Sequence, residues 1–537
     1  MPKHVVLIEA GGKQDFIFTS NKQAVNIGAS ELIRRSGMDW ITDATAGLAG
    51  VEELAPMSGK AVLVVPDLDT GRQIVRDVTE RALRDAPGLD VTGVVCPMAG
   101  SLSATVQTAH EMHHAVRRDR PARQLRWPTL PFSQPCQYSS LPATVVGREG
   151  VEDFPRSAPI DAAWRTGSAG RARMAADLRI GEALLDTRYL DRGVRNAGWI
   201  AVVHADGNGI GALFRHLAKI THDDTYREHY SMLSSKLDDI TRKAFDEAGT
   251  GARRRSAPEE VPTGWVLPIV VGGDDVTAIM DGRLAFDTVV RFLARFEELS
   301  AVPEVASLLA MLWADSGAPG TAPSGFTGAA GIAFVKPHHP FSDAYRLAEE
   351  LCESAKLLKN VDGVPHGALD FHVLHDSVGR PLADLRADQV THDAAGRRLR
   401  RWAGPYLVGT PVTDHSERHV SRIEDAVGAM RATAESVAVL PPGAGHRLRA
   451  ALVAGGTAID REREQVEAWH DDPDTLAAFL DAHLRVTPEP LPHAPGDTNL
   501  PFTRIVDALH LLDMERGTTA GERDGAEPDH AENGARP

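Results

Sequence analysis

Residues 268–282 read PIVVGGDDVTAIMDG. Two apolar runs, PIVV and VTAIM, flank a Gly-Gly-Asp-Asp turn, the pattern of a strand, a tight turn and a second strand. Strands joined by a hairpin run antiparallel, so the sheet around them is not a doubly wound parallel one. The turn carries more charge than a turn needs. Asp274 and Asp275 are adjacent carboxylates that repel each other, and a divalent cation would offset the repulsion. The plainer alternative is a tight turn whose acids are solvated.

The segment upstream supplies a third acid. GWIAVVHADGNGIGALF (198–214) begins with a nearly all-apolar strand, Trp199 to Ala205, expected to be buried on both faces. Asp206 ends it, followed by Gly207-Asn208-Gly209-Ile210-Gly211. A helix follows with Tyr230, Leu233, Leu237, Ile240 and Ala244 at intervals of three or four, then the hairpin, a helix over 284–299, a Gly/Pro/Ala-rich insertion (314–325), a strand over 327–335 and a helix over 342–358. This order places the first strand beside the hairpin. Asp206, Asp274 and Asp275 are then expected at one sheet edge as a hard-oxygen cage for Mg2+ or Mn2+. Two such ions bridge an attacking hydroxyl and an α-phosphate with the metals ~4 Å apart, which requires Asp206 within ~8 Å of the other two. Gly207, Gly209 and Gly211 are expected to let a phosphate approach the helix start, and Gly272 and Gly273 to leave room for a nucleotide.

The rest of the chain sets bounds. Its 537 residues suggest several domains, and 42% hydrophobic residues allow sizeable cores. A net charge of −16, from 58 basic and 74 acidic residues, disfavours gripping DNA by bulk electrostatics. Cys96, Cys136 and Cys352 are far apart and offer neither a disulfide framework nor a cysteine zinc site. No apolar run approaches the ~18 residues of a membrane span, and the start MPKHVVLIEAGG is too short and mixed for a signal peptide. A soluble cytoplasmic protein is expected.

An N-terminal α/β block is expected to hold strands over 4–10, 60–65 and 89–95, a helix in 21–36, and a helix over 71–85 with Ile74, Val75, Val78 and Leu83 broadly on one face. Residues 119–170 are Pro-rich and read as irregular, connecting but packed on their neighbours. Beyond 411 the chain reads as mostly helical, and 516–537 as a disordered tail.

HADGNGIGALF, VVGGDDVTAIM and AEELCESAK together resemble the second palm domain of the large polymerase/cyclase subunit of type III CRISPR effector complexes, a domain related to GGDEF and class III nucleotide cyclases. IEAGGKQDFIFTSNKQAVNIGASELI and RALRDAPGLDVTGVV are similar to that family's first palm domain. The resemblance implies an α/β fold of α+β palm type, with a ferredoxin-like, GGDEF-like antiparallel sheet and helices. Its parts are a degenerate first palm (1–125), a Pro-rich connecting segment (126–195), the catalytic second palm (196–365), an extension packing on it (366–410) and a helical C-terminal domain (411–515). It also implies ATP as substrate, Mg2+ bound by Asp206, Asp274 and Asp275, a nucleotide site shaped by Asn208, Gly209, Gly211, Gly272 and Gly273, cyclic oligoadenylate as product, Lys356 as a phosphate-binding lysine, and other effector subunits with guide and target RNA as partners. For Lys356 the alternative is a solvated lysine at a helix C-terminus. For the function, the alternatives are a cyclase with a mono- or dinucleotide product and a non-catalytic nucleotide-binding scaffold.

Departures from the family pattern shape the reading. The first palm lacks its own Gly-Gly-Asp-Asp and carries Glu9 near the strand end, so it reads as non-catalytic, a partner surface or a second nucleotide pocket. The start of the sequence reads as the palm itself, so the family's HD nuclease domain is not expected here, and the His-Asp pairs at 222, 375, 392 and 470 are scattered. The four-cysteine zinc site is missing too. HEMHH (110–114) fits the HExxH pattern through His110, Glu111 and His114, but no third ligand follows at the usual spacing, and it reads as a polar helix face.

Overall fold

The computed structural model describes residues 3–121, 127–149, 152–178, 198–255, 266–317, 322–361, 363–375, 379–409, 413–431, 438–491 and 496–516. The tail expected from 516 lies, apart from its first residue, outside them.

The first unit is a four-stranded antiparallel sheet of order β2-β3-β1-β4, built from β1 (His4–Gly11), β2 (Glu52–Met57), β3 (Lys60–Val65) and β4 (Asp90–Pro97). The apolar runs of β1 and β3 are buried on both faces because both faces are covered. Val6, Ile8 and Ala10 share a core with Val25 and Ile27 of the helix Gln23–Gly37 and with Ile74 and Val78 of the helix Leu68–Asp85. Val5 and Leu7, on the other face, pack with Leu102 and Val106 of the helix Leu102–Arg118. One detail of the sequence pattern is corrected. In the helix Leu68–Asp85 the i, i+4 stripe runs Ile74, Val78, Ala82, while Leu83 is 74% exposed.

The Pro-rich segment is more ordered than its composition indicates. It contains the hairpin of β5 (Val145–Glu149) and β6 (Glu152–Arg156), then a 20-residue helix, Ala158–Asp177. Pro159 sits in the first turn, where a missing N–H costs nothing. The Ala and Gly residues that read as loop composition are a packing surface. A Cβ on Gly28 would run into the Ala163 carbonyl, and one on Gly167 would lie 2.6 Å from the Ala24 carbonyl, so the two helix backbones touch.

The second unit is a six-stranded sheet of order β16-β13-β10-β7-β9-β8. Its strands are β7 (Ile200–Gly207), β8 (Val266–Gly272), β9 (Asp275–Asp281), β10 (Gly328–Val335), β13 (Gly367–Val373) and β16 (Tyr406–Val408). β11 (Asn360–Val361) with β12 (Val364–Pro365), and β14 (Val390–His392) with β15 (Arg398–Arg400), form small ribbons. The hairpin of β8 and β9, and the pairs of β7 with β9 and with β10, are antiparallel as expected. The pair β10–β13 is parallel, so the sheet is mixed at that side. Alternate residues of β7 reach opposite layers. Ile200 and Val202 pack with Phe341, Leu347 and Leu351 of the helix Phe341–Ala355, while Ala201 and Val203 pack with Val289, Leu293 and Phe296 of the helix Gly282–Ser300. Within the stretch expected as an insertion, residues 314–316 complete a further helix, Pro303–Ser316, which the sequence reading did not identify.

The long helix Asp223–Arg255 buries Tyr230, Leu233, Leu237, Ile240 and Ala244, as its spacing indicates. Val5 and Leu7 of the first sheet belong to the same apolar cluster as Ala201 and Val203 of the second, so the two units share a core. Beyond 413 the described chain is mainly helical: Val420–Met430, Pro442–Ala454, Thr457–Ala468, Pro473–His483 and Ile505–Arg516. No helix among the described residues is long and apolar enough to cross a membrane.

Gly331 of β10 lies under the helix Phe341–Ala355, where a Cβ would enter the space of the Ala348 carbonyl and the Cys352 amide. Gly331→Val is therefore expected to force that helix off the sheet, at an overpacking cost of ~1–3 kcal/mol. A thermal melt checks this, and a variant melting like the native chain would contradict it.

Candidate functional site

The register of the sheet brings the acids together. β7 and β9 pair Ala205 with Val276, so the next position outward sets Asp206, one residue before the end of β7, beside Asp275, the first residue of β9. β8 and β9 close through Gly272 and Asp275, which leaves Gly273 and Asp274 as a two-residue turn. Gly273 has φ 63°, the left-handed conformation such turns need at their first position. One oxygen from each of Asp206, Asp274 and Asp275 lies within 4.8 Å of the other two. No other group of three potential metal ligands meets this condition among the described residues.

Gly207 makes the convergence possible, for a Cβ there would lie 2.8 Å from Cβ of Asp274 and 2.6 Å from Ile210. Gly209, φ 71°, turns the chain into the helix Ile210–Ile220. Asn208 serves as a latch. Its amide N–H donates to the Thr327 carbonyl, and its side-chain Nδ2 donates to Thr327 Oγ1 at 3.1 Å and to the His366 carbonyl at 3.0 Å. The space left by Gly272 is taken by protein, since Asp238 Oδ1 would lie 2.8 Å from a Cβ there. Gly211 lies off the acid cluster, lining a separate cavity with Glu9, Lys60, His110 and Tyr230.

Asp238 and Thr241 were not identified from the sequence. The Gly273 amide donates to Asp238 Oδ1 at 2.9 Å, and Thr241 Oγ1 donates to the Gly273 carbonyl at 2.6 Å. One turn of the long helix thus holds both polar groups of the peptide that carries the acids, and Arg242 balances Asp238 at 2.7 Å. The i, i+3 spacing was legible, but nothing local tells which loop such a pair will meet.

Lys356 reaches the cluster directly, its Nζ 2.6 Å from Asp206 Oδ2 and 2.6 Å from Glu353 Oε1, and these partners hold its pKa above the ordinary lysine value against the opposing effect of burial. Asp274 and Asp275 shift the other way. Both line a cavity, Asp274 half-buried and Asp275 exposed at its rim, and partial loss of hydration followed by the neighbouring carboxylates raises both above the usual range. Burial lowers His204 to about 4, so it stands neutral beneath the acids, 3.3 Å from Thr277 Oγ1. The donor set suits a hard divalent cation: it is all oxygen, concentrated in charge and raised in proton affinity by its own repulsion.

HEMHH gathers no metal site, since no three-ligand group among the described residues includes His110, Glu111 or His114. His113 is buried against Thr92 Oγ1 at 2.7 Å.

Residues 199–364 match the family model described as Cas10/Cmr2, second palm domain, and form a palm domain of that type. The crystal structure of a Csm1-Csm4 cassette in complex with cA3 shares the fold at a TM-score of 0.50 and 11% identity, over 96% of this chain and 70% of that one. The cassette in complex with cA4 gives 0.49 at 10% identity, and that with AMPPNP 0.47 at 11%, with the same coverage. No curated protein matches the chain.

The raised carboxyls have a signed consequence. A carboxyl whose folded pKa exceeds its unfolded value of ~4 keeps its proton longer in the fold, so its contribution to stability falls as pH rises through that interval. In metal-free buffer, Asp275→Asn is expected to gain melting temperature relative to the native chain between about pH 5 and pH 8, and Mg2+ to close the gap by stabilising only the native chain. Parallel pH profiles for the two proteins would contradict this.

Proposed function

We propose that this Cas10/Cmr2-type palm domain is a magnesium-dependent nucleotidyltransferase that joins ATP molecules into cyclic oligoadenylate, a second messenger in antiviral defence. The observation that carries the reading is the meeting of Asp206, Asp274 and Asp275 within 4.8 Å at one edge of the sheet, with Asp274 and Asp275 lining a cavity between the two units. When bound there, Mg2+ (or Mn2+) would polarise an α-phosphate and a 3′-hydroxyl and stabilise the pyrophosphate that leaves.

The chain's own residues have separate roles in this reading. Asp206, Asp274 and Asp275 hold the metals. Asp238 and Thr241 fix the turn, so the acids need no reorganisation when the nucleotide arrives. Lys356, already oriented by Asp206 and Glu353, is placed to meet a phosphate oxygen. The first turn of the helix Ile210–Ile220, entered through Gly209, offers backbone N–H groups to phosphate. The first unit (1–125) acts as a degenerate palm that closes the cavity, with 126–195 connecting it to the catalytic palm at 196–365. Residues 366–410 extend that palm's sheet, and 411–515 form a helical domain.

The likeness to Csm1-Csm4 cassettes also supports a place beside other effector subunits, with guide and target RNA reached through them, in the cytoplasm. An effector complex purified through this chain, supplied with target RNA, Mg2+ and labelled ATP or GTP, tests the proposal. Pyrophosphate and a cyclic adenylate are expected, falling at least ~10²-fold in the Asp274→Ala, Asp275→Ala double variant. ATP binding without pyrophosphate would establish a scaffold instead, and the ring size read by mass spectrometry separates oligonucleotide from mono- and dinucleotide products.

A further inference from the structure

Lys13 opens the short helix Lys13–Ile17 directly after β1, and so belongs to the first unit. It lines the same cavity as Gly272, Gly273, Asp274 and Asp275 of the second. Its side chain runs over Gly59, φ 69°, where a Cβ would come within 2.9 Å of Lys13 Cε. Its Nζ donates to the Ser58 carbonyl at 2.9 Å. Burial lowers the lysine below its ordinary pKa, while Glu9, Asp275 and Asp274 oppose the shift, which places its charge within electrostatic reach of the acid pair.

The arginines that line this cavity are committed. Arg34 pairs with Glu31 at 2.9 Å and Asp39 at 2.6 Å, Arg173 with Glu31 at 2.6 Å and Asp177 at 2.5 Å, and Arg242 with Asp238 at 2.7 Å. Lys356 is not among the lining residues and sits on Asp206 and Glu353. Lys60 is the cross-strand partner of Glu9. Lys13 makes no ion pair among the described residues, and its one hydrogen bond, to Ser58, leaves two of its three N–H donors available.

We propose that Lys13 is a positioning residue for the terminal phosphates of a nucleoside triphosphate whose α-phosphate lies at Asp206, Asp274 and Asp275, so that the first unit completes the site of the second. The inference rests on the reading of those acids as a nucleotide site. An ammonium on the cavity wall contributed by the first unit is a point-charge partner for the distal oxygens of a triphosphate. Gly59 supplies the groove for the side chain, and Ser58 holds the ammonium in place before the ligand arrives.

The test measures binding of ATP and of AMP in Mg2+ to the full chain by calorimetry. The proteins are the native form, Lys13→Gln, Lys13→Arg and Asp206→Asn. Lys13→Gln is expected to weaken ATP about tenfold while leaving AMP within about twofold, as loss of one hydrogen-bonded charge would. Lys13→Arg should restore most of the ATP affinity. An unchanged ATP affinity in Lys13→Gln, or an equal loss for ATP and AMP, overturns the role of Lys13 and leaves the acid site standing. A native chain that binds no ATP, or an Asp206→Asn variant that binds it normally, overturns the underlying reading and this inference with it.

Discussion

Everything at this site depends on a repulsion the fold does not relieve. The register of β7 against β9, and a two-residue turn between β8 and β9, press three carboxylates within 4.8 Å of one another. Isolated acids at that spacing would keep at least one proton, and Asp274 and Asp275 are indeed raised. The surrounding protein answers with only partial neutralisation, a lysine on Asp206 and a more distant one facing the other two. Such an arrangement is unstable as a structural motif and useful as a receptor for positive charge.

The geometry is kept by residues outside the acid cluster. Gly207 leaves the volume into which Asp274 packs, and the long helix holds the Gly273 peptide at both its N–H and its C=O. Asn208 ties the end of β7 to Thr327 and His366, so the strand end cannot fray away from the sheet. A turn that holds like charges together needs this support, because the charges themselves push it open. The same logic explains why the helix carrying Lys356 at its end packs so closely on Gly331.

The two units are one device at this point. Their sheets share a core through Val5, Leu7, Ala201 and Val203, and the cavity beside the acids has a wall from each. The helix Ala158–Asp177, backbone to backbone against Gln23–Gly37, stiffens the first unit, and its Arg173 lines the same cavity. Small residues do this work, and small residues in a Pro-rich neighbourhood look like loop from composition alone.

Much of this was legible in the sequence, and the limit has a physical cause. The continuous apolar runs, the Gly-Gly-Asp-Asp hairpin and the acid ending an apolar strand are local patterns, set by burial on both faces and by the φ that a turn demands, so they determined the antiparallel core and the three acids by themselves. The neighbours of those acids are another matter. Lys13, Asp238 and Thr241 are ordinary residues of ordinary helices, and only the packing of one unit on the other, and of a long helix beneath a turn, brings them to the site. The parallel pairing of β10 with β13 and the exposure of Leu83 were decided in the same way, because both depend on which surfaces meet after the chain has left the local pattern behind.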